Sequence, residues 1–173
     1  MNEPAAPGQN GQKKADATRK KKIPQGFYVL SVKQGTGCYR HLKLSKRSTL
    51  EDLADAILWA FDFMNDHAHA FFMNNSAWTD TDCYYCEDVD EDEEYRHTCD
   101  YDLTVLTVGQ KFKFVFDFGE GWEFDCRVLR ETPDGSEDEA EIIRAKGEPP
   151  AQYSMVEDDD DEPDQDEPMD DDE

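Results

Sequence analysis

The 173-residue chain has no apolar run of 18 residues, which argues against a membrane-spanning helix. It is also short of cations: 18 Lys and Arg stand against 42 Asp and Glu, for a formal charge of -24. Binding along a phosphate backbone needs a cationic surface that releases counterions, so this balance argues against direct nucleic-acid backbone binding. The Lys-rich start is not followed by an apolar segment, and no secretory signal is expected. The five cysteines (Cys38, Cys83, Cys86, Cys99 and Cys126) are an odd number, and without export they are expected to be reduced in a cytoplasmic protein. No nucleophile elbow surrounds a serine or cysteine. The acidic run Glu87 to Glu94 lacks the central glycine of an EF-hand loop. Asp117-Phe118-Gly119 has the spelling of a kinase metal loop, but neither the glycine-rich loop nor the His-Arg-Asp segment accompanies it. No internal repeat is evident.

What is present is strongly segregated. Six of the 18 cations lie before Ile23, and 13 of the 42 acids lie from Glu157 onward. Without those last 17 residues the formal charge is still about -11, so the body of the chain is acidic in its own right. The composition divides the chain into a disordered basic leader over 1–22, one domain over 23–150, and a disordered acidic tail over 151–173.

Within the domain, alternation marks strands. Tyr28, Leu30 and Val32 share one face of a strand over Phe27 to Lys33, Gly35-Thr36-Gly37 reads as a turn, and Leu42 and Leu44 share a face of the next strand. Ser48 is expected to cap a helix with Glu51 reaching back, and Leu50, Leu53, Ile57, Phe61 and Met64 form its apolar stripe. A short strand follows at His67 to Met73. Residues 74–100 read as an irregular excursion, and Asp102 to Val108 reads as either strand or helical turn. Phe112, Phe114, Phe116 and Phe118 alternate along one strand; Trp122, Phe124, Cys126 and Val128 alternate along its hairpin partner. A weaker strand surrounds Ile142-Ile143. The order of elements suggests an α+β domain in which a mixed sheet carries a helix across one face, in a β-grasp-like arrangement.

The hairpin Phe114-Val115-Phe116-Asp117-Phe118-Gly119-Glu120-Gly121-Trp122-Glu123 resembles the signature strand and turn of the plasmid pRiA4b ORF-3-like family. Tyr39-Arg40-His41-Leu42-Lys43-Leu44 is similar to an upstream strand of that family, and Thr49-Leu50-Glu51-Asp52-Leu53 to the start of its helix. Asp66-His67-Ala68-His69-Ala70-Phe71 resembles its Asp/His/His/Phe element, and Gly109 to Phe112 its approach to the signature strand. The resemblance spans roughly residues 26–130. It implies a compact α+β fold and an association with mobile elements, without a settled activity. Two features depart from the family: Phe124 stands where a histidine is frequent, and Gly147-Glu148-Pro149-Pro150 stands in place of a Cys-Pro-Pro segment with two cysteines.

Two residue sets could carry chemistry. Cys83-x-x-Cys86 with His97-x-Cys99 offers four soft ligands within 17 residues, a composition suited to structural zinc. His67 and His69, with Asp117, Glu120, Trp122 and Glu123 of the signature turn, could form a ligand or interaction surface, since paired imidazoles bind metals or move protons. The leading functional expectation is a non-enzymatic, acidic interaction domain that engages a basic protein partner. The alternative is a metal-dependent small-ligand-binding or hydrolytic enzyme centred on His67, His69 and the Asp117 to Trp122 element.

Overall fold

The computed structural model describes residues 23–89 and 95–153; the expected leader, the expected acidic tail from residue 154 onward and part of the Glu87 to Glu94 run lie outside the described residues. The strands are β1 Phe27–Lys33, β2 Tyr39–Ser45, β3 His69–Phe72, β4 Cys83–Tyr85, β5 Lys111–Phe116, β6 Trp122–Thr132 and β7 Glu141–Lys146. One α-helix, α1 (Leu50–Ala60), lies between β2 and β3, and single 3-10 turns occupy Glu87–Val89, Thr98–Asp100 and Leu103–Val105.

The expected α+β domain with a mixed, β-grasp-like sheet is corrected by this topology. The chain forms one seven-stranded sheet in the order β4-β3-β5-β6-β1-β2-β7, every strand pairing is antiparallel, and α1 is the one α-helix among the described residues. The reason lies in the crossover. α1 carries the chain from the end of β2 to β3, but both edges of β1 are already taken, by β2 and β6. β3 therefore lands four positions from β2, with β1, β6 and β5 between them, and its direction makes an antiparallel pair with β5.

Alternation sets what each face carries. Tyr28, Leu30, Val32, Leu42, Leu44, Phe112, Phe114, Phe116, Phe124, Cys126 and Val128 point inward and form one core with Leu50, Leu53, Ala54, Ile57 and Phe61. The β5–β6 register places Phe114 opposite Phe124 and Phe116 opposite Trp122. Phe118 does not continue that row. Asp117 adopts φ 60, reversing the alternation, and Phe118 joins Ala70, Phe72, Val115 and Tyr85 on the outer face.

The helix cap falls one residue later than expected. Thr49 Oγ1 accepts from Asp52 N at 3.1 Å and Asp52 Oδ2 accepts from Thr49 N at 2.9 Å, so Thr49 and Asp52 make the capping box. Ser48 is committed elsewhere: its amide donates to Ser45 O and its carbonyl accepts from Leu103 N. The shift leaves Glu51 free to face solvent. At the other end, Asp62 at φ 57 ends the helix in a left-handed turn and Phe63 N donates to Leu58 O. That turn brings Phe63 back into the core and leaves Met64 exposed, outside the apolar stripe expected for it.

Arg40 ties helix, sheet and edge strand together. It is buried, its Nε donates to Ala60 O at 3.1 Å, and its Nη1 donates to Tyr39 O at 2.9 Å and Lys146 O at 3.0 Å. Its guanidinium also lies 5.2 Å from the Phe61 ring centre. Replacing Arg40 by Met keeps the volume but leaves the carbonyls at the helix end and at the end of β7 without their donor. Chemical denaturation of R40M is expected to show a loss on the order of 3 kcal/mol, with an unchanged m-value.

Candidate functional site

The break in β5 at Asp117 builds a small polar constellation at one end of the sheet. Asp117 N donates to Ala68 O at 2.9 Å, fixing the turn against the start of β3, and Gly121 N closes the turn on Asp117 O at 2.6 Å. The side chain then divides its work. Oδ1 accepts from Gly119 N and Glu120 N at 3.2 and 3.3 Å, while Oδ2 lies 3.5 Å from His67 Nε2.

His67 is exposed and sits among oxygen atoms. Its Nε2 is 3.2 Å from Tyr153 Oη, 3.5 Å from Asp117 Oδ2 and 3.7 Å from Asp66 Oδ1. Tyr153 Oη donates to Asp66 Oδ2, and Gln152 Nε2 donates to Asp66 Oδ1 at 3.1 Å. The tyrosine hydrogen bond holds the Asp66 carboxyl below its ordinary range, and the same bond pushes the Tyr153 phenol up to about 12. Gln152 also brackets Met64, accepting from its amide and donating to its carbonyl. This arrangement can bind a cation or a hydrogen-bond donor.

His69, two residues on, has a different environment. It is buried at the start of β3, its Nε2 is 3.0 Å from Thr98 Oγ1, and its ring packs against Phe71 and Phe114. Burial pushes its pKa down to about 4, so it is neutral at physiological pH. His67 and His69 both border a cavity of about 410 Å³, together with Glu51, Asp66, Cys86, Glu87 and Asp88, but they share no polar partner.

The other residues of the expected surface scatter. Trp122 packs edge-on against Phe63 with ring centres 5.0 Å apart, and its buried Nε1–H finds no acceptor among the described residues. Glu120 and Glu123 are exposed.

The expected zinc ligands are distributed by strand geometry. Cys83 lies in β4 and packs with Phe72 and Ala70 on the outer face, whereas its neighbour Tyr84 points into the inner core. A three-residue separation along extended chain sends side chains to opposite faces, unlike the turn in which Cys-x-x-Cys chelates. Cys86 follows the strand, buried, with Sγ accepting from His69 N at 3.4 Å. His97 precedes the 3-10 turn at Thr98–Asp100 and Cys99 lies within it, with His97 Nδ1 4.0 Å from Asp100 Oδ2. Burial and the neighbouring carboxylates, Asp100 foremost, push the Cys99 thiol up. Among the described residues, no group of three or more His, Cys, Asp or Glu converges as a metal cage.

The structure also assembles a feature that residue-by-residue reading had not singled out. A groove of about 740 Å³ runs beside α1, lined by Asp52, Asp55, Glu137, Asp138 and Glu139, with Arg47 as its one cation. Trp59, 58% exposed, forms part of its wall. Burial and the neighbouring Asp52 raise the Asp55 pKa; on the same helix, burial and the carboxylates of Asp55, Asp52, Glu87 and Asp88 raise that of Glu51. The three-residue spacing of Asp52 and Asp55 was a signal in the sequence, but their approach to Glu137–Glu139 required the fold.

A profile of the plasmid pRiA4b ORF-3-like protein family matches residues 30–157. No curated protein matches the chain. Among solved structures, the chain is similar to a protein of unknown function from Methanosarcina mazei Go1, with a TM-score of 0.55 and 22% identity over 69% of this chain and 68% of that one. That likeness concerns the fold. No helix among the described residues is long and apolar enough to cross a membrane.

The buried His69 should make stability depend on pH. Its folded pKa lies below the unfolded value near 6.5, so its contribution is complete above that pH and is lost as pH falls toward 4. Raised carboxylates such as Glu51 and Asp55 act in the opposite sense, so the comparison is made against H69Q. Between pH 6.5 and 4, wild type should lose about 3 kcal/mol more unfolding free energy than H69Q, an order-of-magnitude figure from the size of the shift. Parallel pH profiles for the two proteins would contradict the assignment.

Proposed function

We propose that this chain, which belongs to the plasmid pRiA4b ORF-3-like family, is a non-enzymatic interaction domain whose acidic groove beside α1 receives a basic segment of a protein partner. The observation that carries this reading is the groove itself: five carboxylates against one arginine, beside an exposed indole. Arg47 donates its Nε to Pro24 O at 3.0 Å and forms no ion pair with these carboxylates among the described residues. Burial raises the Asp55 pKa, and repulsion from the Asp52 carboxylate raises it further. A lysine or arginine entering the groove relieves that repulsion, and the exposed Trp59 indole in the groove wall is a further partner for a cation. A reducing cytoplasmic setting suits the five cysteines, all of them free thiols.

The test is a titration of the full chain with a fluorescent peptide of about ten residues rich in Lys and Arg. Neutralising Asp55, Asp138 and Glu139 together (D55N, D138N, E139Q) leaves the capping box intact and should weaken binding about tenfold at low salt, roughly 1.4 kcal/mol. Replacing Trp59 by Ala should cost a further factor of two to five, from the cation–ring attraction alone. Unchanged affinity in the triple variant would remove the groove from the proposal. Loss of binding in variants that neutralise Asp66 and Asp117 instead would move the site to His67.

A further inference from the structure

The outer face of the sheet carries the opposite charge. Strand register places Lys111 of β5 opposite Arg127 of β6, Arg127 opposite Ser31 of β1, Ser31 opposite His41 of β2, and His41 opposite Arg144 of β7. Directly opposed residues project from the same side, so these five form one row across five strands, about 19 Å long at the usual strand spacing. The adjacent row holds Lys113, Asp125, Lys33, Tyr39 and Lys146 in the same order. Eight of the twelve Lys and Arg from residue 23 onward lie on this face of β5, β6, β1, β2 and β7.

Two of those cations are paired, Lys113 with Asp125 at 2.8 Å and Lys43 with Glu141 at 3.4 Å. Lys33, Lys111, Arg127, Arg130, Arg144 and Lys146 form no ion pair among the described residues. Arg144 rests on the Tyr39 ring, with 5.7 Å between guanidinium carbon and ring centre. Like charges placed directly opposite across a strand pair are destabilising, as Lys111 and Arg127 are here. The local field is positive enough to act on a neighbour: after burial, Arg144, Arg130 and Lys33 are what lower the pKa of His41. A depression of about 560 Å³ lies over this region, lined by Lys33, Tyr39, His41, Lys111 and Arg127. In a chain of charge -24, this face sets eight cations against the carboxylates of Glu123, Asp125 and Glu141.

We propose that the cationic outer face of β5, β6, β1, β2 and β7 is the docking site of the chain's own acidic terminal segment, residues 157–173. The segment supplies 13 carboxylates in 17 residues. The described chain reaches Tyr153 beside Asp66 and His67, at the end of the sheet where β1 and β7 finish with Lys33 and Lys146. Twenty further residues can span at most roughly 70 Å, several times the length of the cationic row. A tethered anion also acts at an effective concentration on the order of millimolar, ahead of most free competitors. Its docking has a consequence for association. An uncovered cationic face on one molecule complements the acidic groove of another, a head-to-tail contact that builds rings or open chains. The acidic segment covers the face and leaves the groove, on the helix side of the sheet, open for a partner.

The test compares the full chain with a chain ending at Val156, which keeps every described residue, and follows His41 by NMR titration. With carboxylates docked near it, His41 titrates at higher pH in the full chain than in the truncated one. The difference shrinks toward zero in 0.5 M salt, where the screening length falls to about 4 Å. The full-chain variant R127Q/R144Q is expected to lose most of the salt-dependent shift at the Ser31 and Lys33 amides while keeping the remaining spectrum. A 12-nucleotide single-stranded DNA probe should bind the truncated chain at least tenfold more tightly than the full chain at low salt. Identical His41 titrations in the two chains would overturn the proposal. Equal, tight DNA binding by both chains would overturn it in favour of a nucleic-acid surface, and a His41 difference that grows with protein concentration would overturn it in favour of a second copy's terminal segment.

Discussion

The buried Arg40 guanidinium is the interaction on which the rest of the architecture leans. It lies where the end of α1, strand β2 and the end of β7 meet, and it holds all three through backbone carbonyls. A cation in such a place is costly unless its charge is answered. Here the answer comes from the carbonyl end of the helix, whose dipole is negative, and from the face of Phe61. Because the contacts go to main chain, they fix where elements end. The helix stops at Ala60, Asp62 reverses the chain, and Phe63 turns back onto Trp122 and Phe124. The following residues, Met64 to His67, are thereby delivered to the end of the sheet where Asp117 and Tyr153 meet them.

The sheet also partitions charge. On the helix side, carboxylates gather around α1 and the Glu137–Glu139 segment. On the other side, lysines and arginines from five strands line up in register. Neither surface is explained by core packing. Crowded carboxylates and opposed cations both cost stability, which is why each reads as a place prepared for a partner of the other sign. The polar cluster at His67 differs, since its groups largely satisfy one another: Tyr153 binds Asp66, Asp117 binds its own turn, and His67 sits between them. That internal satisfaction suits a clasp that fixes the 147–153 segment against β3 and β5.

Particular residues show how far the sequence could be read. The β5–β6 hairpin was legible because Phe112, Phe114 and Phe116 alternate against Phe124, Cys126 and Val128 over enough residues to exclude a helical period. Phe118 defeated the same reasoning, because one left-handed residue at Asp117 inverts the alternation and nothing in the local composition marks it. The helix was legible from Leu50, Leu53 and Ile57, but its cap was placed one residue early. Ser48 and Thr49 are equivalent capping residues until β2 and the Leu103 segment claim the Ser48 backbone. The Cys-x-x-Cys spelling suggests chelation only where the chain turns; β4, too short to announce itself, makes it extended instead.

What the sequence determined by itself is local: the strands with a clear two-residue period, the helix with its apolar stripe, the segregation of charge along the chain, and the family signature around Asp117 to Trp122. Those follow from near neighbours, where alternation and capping chemistry act. The tertiary structure decided what depends on pairing between distant segments. The all-antiparallel strand order follows from β2 and β6 filling both edges of β1, so that β3 pairs with β5 instead. The acidic groove follows from Glu137–Glu139 meeting α1, and the cationic row from one register shared by Lys111, Arg127, Ser31, His41 and Arg144. A shift of one residue in any of those pairings would send its side chains to the opposite face, so no single strand carries the row in its own composition.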